Sequence, residues 1–442
     1  MRRLPFFLFL FCLVHSQALR ADAPNVILIL ADDMALGDLA SLNGGISHTP
    51  NIDRLKKEGL WFENAYSGSA VCAPARAALF TGRYPHRTGC VTLNMPKYPV
   101  LSRIKTSETT IGDLMKKAGY ATGLIGKWHS GMGDEYHPTR RGFDEFEGFI
   151  GAHEAEGYFD YVLELEGEKH RVNGQYLTEE LSARAVKFVK RHKHHPFFLH
   201  LAHYAPHRPL DAPEASKQPW LKAGYDESTA TIYVMIEIMD RGIGELIEAL
   251  EDEGLKEKTL ILFASDNGPD PLTGARFNRN LRGMKYEIHE GGIRVPFIMH
   301  WPGTLKPGSR EELIHLTDVL PTIMEICGQR IPNELKLDGR SFAGLLSGES
   351  VSLPKKRYWQ WNRKDPRYGH NAAMREDHWK LVRPFVTRNI PKPNTAKPFV
   401  LYNLADDPAE STDVSQEHPE RFERMKQDMK KWATEVEASR VK

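Results

Sequence analysis

Cysteine is scarce in this chain, at four in 442 residues. Cys12 lies in an N-terminal apolar run, which leaves Cys72, Cys90 and Cys327 for the remainder. So small and odd a set excludes a disulfide-dependent scaffold and leaves at least one thiol over. Surplus charge is scarce too: 59 Lys and Arg stand against 58 Asp and Glu, a formal balance of +1. That gives no general electrostatic drive toward nucleic acid or an anionic membrane, so an anionic ligand has to be recognised locally. There is no internal repeat and no low-complexity tract. The apolar run Leu4 to Val14 is too short to span a bilayer, and no stable membrane insertion is expected.

What is present is a globular composition, 41% hydrophobic and 26% charged. Met1, Arg2 and Arg3 before the apolar run read as an export leader over residues 1–21, with candidate cleavage after Ala18 or Ala23. The expected location is therefore periplasmic or extracellular. Beyond it, Asn25 to Leu30, Ala121 to Ile125, Pro196 to Ala202 and Thr259 to Ala264 are short apolar runs of the kind that form buried parallel strands. Helix-like segments alternate with them, at Pro50 to Leu55, Thr110 to Gly119 and Thr229 to Glu251. The pattern predicts an α/β fold with a large, mostly parallel sheet sandwiched by helices. After Leu346 the texture changes to short aromatic strands around Tyr358, Trp379 and Tyr402 and a charged helix from Pro419. We expect a main domain over 22–346 and a smaller C-terminal α+β antiparallel-sheet domain over 347–442. Arg191 to His195, a basic run with three histidines, is read as a solvated helix end.

In such sheets ligands gather beyond the carboxyl ends of the strands, and acidic pairs stand there in this chain. Asp32 and Asp33 follow the first strand, and Asp266 and Asn267 follow the strand ending near Ala264. Three carboxylates and an amide oxygen are hard donors suited to calcium or magnesium. Each pair alone is also an ordinary turn or helix-cap sequence.

The segment from Ser67 to Arg83 contains Cys72, Pro74 and Arg76 in the pattern Cys-x-Pro-x-Arg. It resembles the signature of the formylglycine-dependent (type I, arylsulfatase-like) sulfatases of the alkaline phosphatase superfamily. The resemblance covers nearly all of the chain after the leader. It implies that a formylglycine-generating maturation enzyme converts Cys72 to 3-oxoalanine, whose hydrated gem-diol is the nucleophile. It further implies one Ca2+ held by Asp32, Asp33, Asp266, Asn267 and residue 72. Gly126 to His129 matches the family's lysine and histidine, here Lys127, which contacts sulfate, and His129, a candidate base for hemiacetal breakdown. Ala205 to Pro209 supplies His207 as candidate general acid. Lys285, in the segment Leu281 to Pro296, corresponds to a sulfate-binding lysine, and Arg76 to the residue that orients the nucleophile. The set suits sulfate monoester hydrolysis, because cations gather charge on the non-bridging oxygens while His207 protonates the departing alkoxide.

The implied substrate is a sulfated carbohydrate. Ser130 to Gly133 and Tyr286 to His289 depart from the family pattern and are expected to reshape the pocket. His153 and Glu154, with Glu287 or Trp361, are candidate sugar contacts, solvated loop residues being the plainer reading of each. Two rival readings remain: a phosphonate or phosphodiester hydrolase with the same nucleophile, and a silent sulfated-glycan binding protein in which Cys72 stays a thiol.

Overall fold

The computed structural model describes residues 23–152, 157–273, 276–385 and 398–441. The expected leader, His153 and Glu154 lie outside the described residues.

The four apolar runs form the middle of a ten-stranded sheet. Asn25–Ala31 pairs in parallel with Phe197–Ala202 on one side and Thr259–Ser265 on the other. Ala121–Lys127 and Glu145–Phe149 extend the parallel array beyond Phe197–Ala202. Every residue of Asn25–Ala31 is buried, as a strand covered on both faces requires. Its side chains alternate between two cores. Ile27 and Ile29 join residues of the helices Pro50–Glu58, Leu177–His192 and Glu227–Asp252. Val26, Leu28 and Leu30 join residues of Cys72–Thr81, Ile111–Lys117 and Val319–Ile326 on the opposite face.

The margins of the sheet are mixed. Phe297–His300 runs antiparallel to both Thr259–Ser265 and Leu60–Phe62, and the hairpin Asp160–Leu165 with Glu168–Asn173 closes the far side antiparallel to Glu145–Phe149. The expected α/β class with a mostly parallel sheet is therefore what the chain adopts, with antiparallel additions at both edges.

The late aromatic strands form a separate four-stranded antiparallel sheet of Lys356–Gln360, Ala372–Glu376, Trp379–Arg383 and Val400–Asn403. One face takes Met425, Met429, Trp432 and Val436 of the helix Pro419–Arg440, the 3.6-residue stripe of an amphipathic helix. The other face presents Trp359, Ala373, Val382 and Tyr402 to Tyr66 of the short strand Ala65–Tyr66, Ile293 of the helical turn Glu290–Ile293, and Ala70 and Ile288 of the loops beside them. Those loops carry the candidate site, so the small sheet is packed directly behind it. The basic run at 191–195 makes ion pairs, Arg191 and His192 with Glu145 and Lys193 with Glu253, as expected of a solvated helix end.

Candidate active site

Each acidic pair stands where its strand stops. Asp32 and Asp33 follow Ala31, and Asp266 and Asn267 follow Ser265, in register across the sheet because Ala31 pairs with Ser265. Lys127 ends Ala121–Lys127, one strand beyond Phe197–Ala202, and its last bend is made by Gly126 at φ 103°; a Cβ there would stand 2.0 Å from the Ala202 carbonyl oxygen. His207 lies five residues past Ala202. Lys285 comes from the loop before Phe297–His300, held by its own N–H donating to the Pro269 carbonyl at 2.8 Å.

Cys72 is the first residue of the helix Cys72–Thr81, entered through the extended Val71. The helix N-terminus favours negative charge developing at that position. As a thiol, Cys72 is nevertheless poorly suited to react, since burial pushes it up to about 12 against the pull of Lys127 and Lys285. One turn on, Arg76 is fully buried and ties three strand ends together. Its Nε donates to Asp266 Oδ2 at 3.0 Å, its Nη2 to Asp32 Oδ2 at 3.3 Å and its Nη1 to the Lys127 carbonyl at 2.8 Å.

The carboxylates differ in state although they are neighbours. Burial opposes charge on Asp32, but the Lys127 ammonium that donates to it, with Arg76 and Lys285, brings it down to about 2. Asp33 is pushed up to about 7 by burial, with Asp32, Asp266 and Asp270 adding to the effect and Lys285 opposing it. It also sits at φ 64°, a left-handed conformation that the surrounding contacts hold in place. Asn267 Nδ2 donates to Asp33 Oδ1 at 2.6 Å and Lys285 Nζ to Asp33 Oδ2 at 2.6 Å, while the Asp33 N–H donates to Asp266 Oδ1 at 3.2 Å.

The donor set suits a divalent cation. Asp32, Asp33, Cys72 and His207 each bring a ligand atom within 4.8 Å of the others. Asp32 Oδ1 and Asn267 Oδ1 are buried acceptors that no protein donor satisfies, a costly condition that a hard cation would relieve. Asp266, beside them, accepts the Asp33 N–H through Oδ1 and Arg76 Nε through Oδ2. His207 belongs spatially to this group, which its position in the sequence did not indicate. Its Nε2 lies 3.6 Å from Asp33 Oδ2, and its Nδ1 is 2.6 Å from the Arg208 carbonyl. A carbonyl only accepts, so Nδ1 carries a proton and Nε2 is the nitrogen that faces the cluster. His129 is buried with neither ring nitrogen hydrogen-bonded, and burial, then Lys127 and Arg76, hold its pKa well below the usual histidine value.

The ten residues given catalytic or metal roles from the sequence therefore lie at or beside the carboxyl edge of the sheet. Two supports were not anticipated. Asp38 binds the buried Arg276 through Nε at 2.8 Å and Nη2 at 2.6 Å, and Arg276 Nη2 donates to the Asp33 carbonyl at 3.4 Å. Neither residue lies in a motif, so only the folded register shows that they brace Asp33. Trp361, a candidate sugar contact, is 1% exposed and packs on Tyr286, so it acts beneath the site and not as a solvated contact.

A parallel sheet with buried carboxylates, two lysines and an arginine gathered beyond its strand ends defines a hydrolase of anionic esters. The Sulfatase family model matches residues 24–329, and the model for the N-sulphoglucosamine sulphohydrolase C-terminal region matches 284–439. The chain is 30% identical to N-acetylgalactosamine-6-sulfatase of Homo sapiens, over 90% of this chain and 86% of that protein. It is also 30% identical to arylsulfatase A of Bos taurus, over 92% and 87%. The crystal structure of Ps i-CgsB in complex with k-i-k-neocarrahexaose superposes with a TM-score of 0.83 at 33% identity, covering 93% of this chain and 92% of that one. The chain belongs to the sulfatase family, within the alkaline phosphatase-like superfamily, and is a sulfuric ester hydrolase.

Proposed function

We propose that this protein is an exported sulfatase that removes sulfate from a carbohydrate, with formylglycine made from Cys72 as nucleophile and one calcium ion as cofactor. The observation that carries the reading is the place of Cys72, at a helix N-terminus with its Sγ within 4.8 Å of ligand atoms of Asp32, Asp33 and His207. A thiol held near 12 serves poorly there, whereas a hydrated aldehyde offers an oxygen nucleophile and a second hydroxyl. Residue 72, so converted, would supply the oxygen that displaces the ester oxygen from sulfur and a second hydroxyl whose collapse to the aldehyde would release sulfate.

Asp32, Asp33, Asp266, Asn267 and residue 72 would hold the ion. When bound, the ion lowers the pKa of a hydroxyl beside it and offsets charge on the ester. Lys127 and Lys285 each have three N–H donors and use one on Asp32 or Asp33, which leaves donors for sulfate oxygens. Arg76 fixes the strand ends that carry the carboxylates and neutralises charge beside residue 72. His207 Nε2 holds the proton given to the departing alkoxide, and Asp33 at 3.6 Å stabilises the imidazolium that carries it. His129, kept neutral by burial, would serve as the base for the collapse to the aldehyde.

Carbohydrate is supported as the substrate class by the similar structure solved with k-i-k-neocarrahexaose and by the N-acetylgalactosamine-6-sulfatase relative. Export is supported by the basic and then apolar start of the chain. Conversion of Cys72 requires a separate maturation enzyme as partner. Among the described residues, no helix is long and apolar enough to cross a membrane. The 22–346 and 347–442 division assigns all these residues to the first unit.

The test is sulfate release, read by ion chromatography, from sulfated mono- and polysaccharides by protein co-produced with a formylglycine-generating enzyme, with Cys72→Ala as blank. Release that vanishes in the variant supports the reading. No release despite an aldehyde found at residue 72 by mass analysis moves it to phosphonate or phosphodiester hydrolysis.

A further inference from the structure

Beside the residues placed in the reaction stands a charged pair with no part in it. Arg208 follows His207 directly, and its side chain is 30% exposed. Its Nε lies 3.6 Å from Asp270 Oδ2, and its Nη2 donates to the Tyr286 hydroxyl at 3.4 Å. Asp270, 4% exposed at its side chain, accepts the Leu272 N–H at 2.9 Å through Oδ1. Its Oδ2 is buried and accepts no hydrogen bond, and Arg208 Nε is buried and donates none. The pair thus bridges three catalytic segments, those of His207, Asp266 with Asn267, and Lys285 with Tyr286.

We propose that Arg208 and Asp270 form the subsite for the ring of the leaving group, and that they read its free hydroxyls in preference to a second sulfate. This rests on the sulfated-carbohydrate reading above. Location comes first: the leaving oxygen must reach His207 to be protonated, so the ring bearing that oxygen lies on the His207 side, where Arg208 emerges. Chemistry comes second. A guanidinium has five N–H donors in a planar fork, and one is engaged here. A carboxylate oxygen beside it waits for a donor. A hydroxyl both donates and accepts, so neighbouring hydroxyls on one ring satisfy both partners at once. A second sulfate only accepts. It would gain Arg208, meet repulsion from Asp270, leave Asp270 Oδ2 unsatisfied and give up its own water. Sites built on buried polar groups discriminate in this way because the wrong ligand leaves them unpaired.

The experiment compares kcat and KM on 4-nitrophenyl sulfate, which has no sugar hydroxyl, on the monosulfates of galactose and N-acetylgalactosamine, and on their 4,6-disulfates. Parent, Asp270→Asn and Arg208→Lys are used with the aldehyde at residue 72 verified and folding checked by thermal melting. We expect the parent to favour the better monosulfate over its disulfate by at least about 10-fold in kcat/KM. Asp270→Asn should raise KM for that monosulfate by about 10-fold or more, lose much less on 4-nitrophenyl sulfate, and narrow the preference over the disulfate. Equal losses on the sugar and aryl esters would show a structural pair and overturn the proposal, as would a parent that prefers the disulfate. If the matured parent releases no sulfate at all, the sulfatase reading fails separately. The subsite is then decided by calorimetric binding of the same sugar sulfates to Cys72→Ala protein. A monosulfate whose affinity Asp270→Asn weakens about 10-fold sustains it, and binding of none, or binding indifferent to Asp270, overturns it.

Discussion

Two buried charge clusters lie close together in this protein and are built on opposite plans. At the carboxyl edge of the large sheet, Asp32, Asp33 and Asp266 face Arg76, Lys127 and Lys285, and two acceptors, Asp32 Oδ1 and Asn267 Oδ1, are left without a protein donor. At the seam with the small sheet, Glu290 and Glu410 face Lys380, with every carboxylate oxygen beside a donor or the ammonium. Lys380 Nζ is 2.9 Å from Glu290 Oε1 and 3.0 Å from Glu410 Oε1. The Tyr66 hydroxyl donates to Glu290 Oε2 at 2.5 Å, and the Glu290 N–H donates to Glu410 Oε2 at 2.6 Å. The first cluster keeps capacity for something outside the chain, whereas in the second the one acceptor without a hydrogen bond, Glu410 Oε1, is 3.0 Å from the Lys380 ammonium. A buried charge whose partners are complete reads as structure, and one whose partners are incomplete reads as a site. The seam also serves the site, because Glu290 lies five residues beyond Lys285 on the same loop.

The comparison predicts opposite responses to mutation. Asp33→Asn should lower kcat/KM for sulfate esters by about 10^3-fold or more while leaving thermal stability within a few degrees of the parent. The reason is that burial already disfavours charge at Asp33, whose carboxyl stands near 7, so a neutral isostere removes function without removing a strong support. A variant that melts as early as a seam variant would break the distinction. Lys380→Met supplies that counterpart. It strands Glu290 and Glu410 together in the interior, a loss of about 3–5 kcal/mol in chemical denaturation. A melting temperature unchanged in Lys380→Met would show that the seam is not held by this ammonium.

The third response is to metal. The first cluster has two open acceptors, whereas the one in the second, Glu410 Oε1, stands 3.0 Å from the Lys380 ammonium, so calcium should stabilise the protein through the first. At a free concentration 100 times its Kd the gain is about 2.7 kcal/mol over chelator-treated protein, visible as a rise in melting temperature. Asp33→Asn should abolish most of that rise and Lys380→Met should retain it as a difference between its own two states. Magnesium matching calcium at equal concentration would sharpen the ion's identity against the calcium assignment, since the smaller ion demands stricter octahedral geometry.

The sequence made the first cluster far more legible than the second. Asn25–Ala31, Phe197–Ala202 and Thr259–Ser265 are fully buried runs, so their strand character and their acidic ends could be read directly. Cys72, Pro74 and Arg76 were legible through family resemblance. What was hidden depends on register between distant segments. That His207 faces Asp33 and Cys72, that Lys127 and Lys285 divide between Asp32 and Asp33, and that Arg276 braces Asp33 all follow from how strands align, and no local pattern encodes it. Leu60–Phe62 and Phe297–His300 escaped because three or four residues are too few to show a period. Glu290, Lys380 and Glu410 look like surface charges in the sequence, and only burial reveals their pairing.

The smallest effect lies within the seam and concerns its one strained proton. Glu410 is fully buried; burial, and Glu290 beside it, push its carboxyl from 4.5 up to about 7 against the pull of Lys380. A carboxyl raised by folding holds its proton more tightly in the native state than in the unfolded chain. Between about pH 4.5 and 7 the unfolded chain has therefore released a proton that the folded protein still binds, and stability falls as pH rises through that window. Glu410→Gln carries no such proton. Its stability relative to the parent should improve by on the order of 2 kcal/mol across this window and then level off, since one proton contributes at most about 1.4 kcal/mol for each pH step of one. Urea denaturation of both proteins at closely spaced pH values reads this directly. A difference that stays flat across the window would mean that Lys380 keeps Glu410 ionised throughout, and the seam would then hold a full ion triad rather than a shared proton.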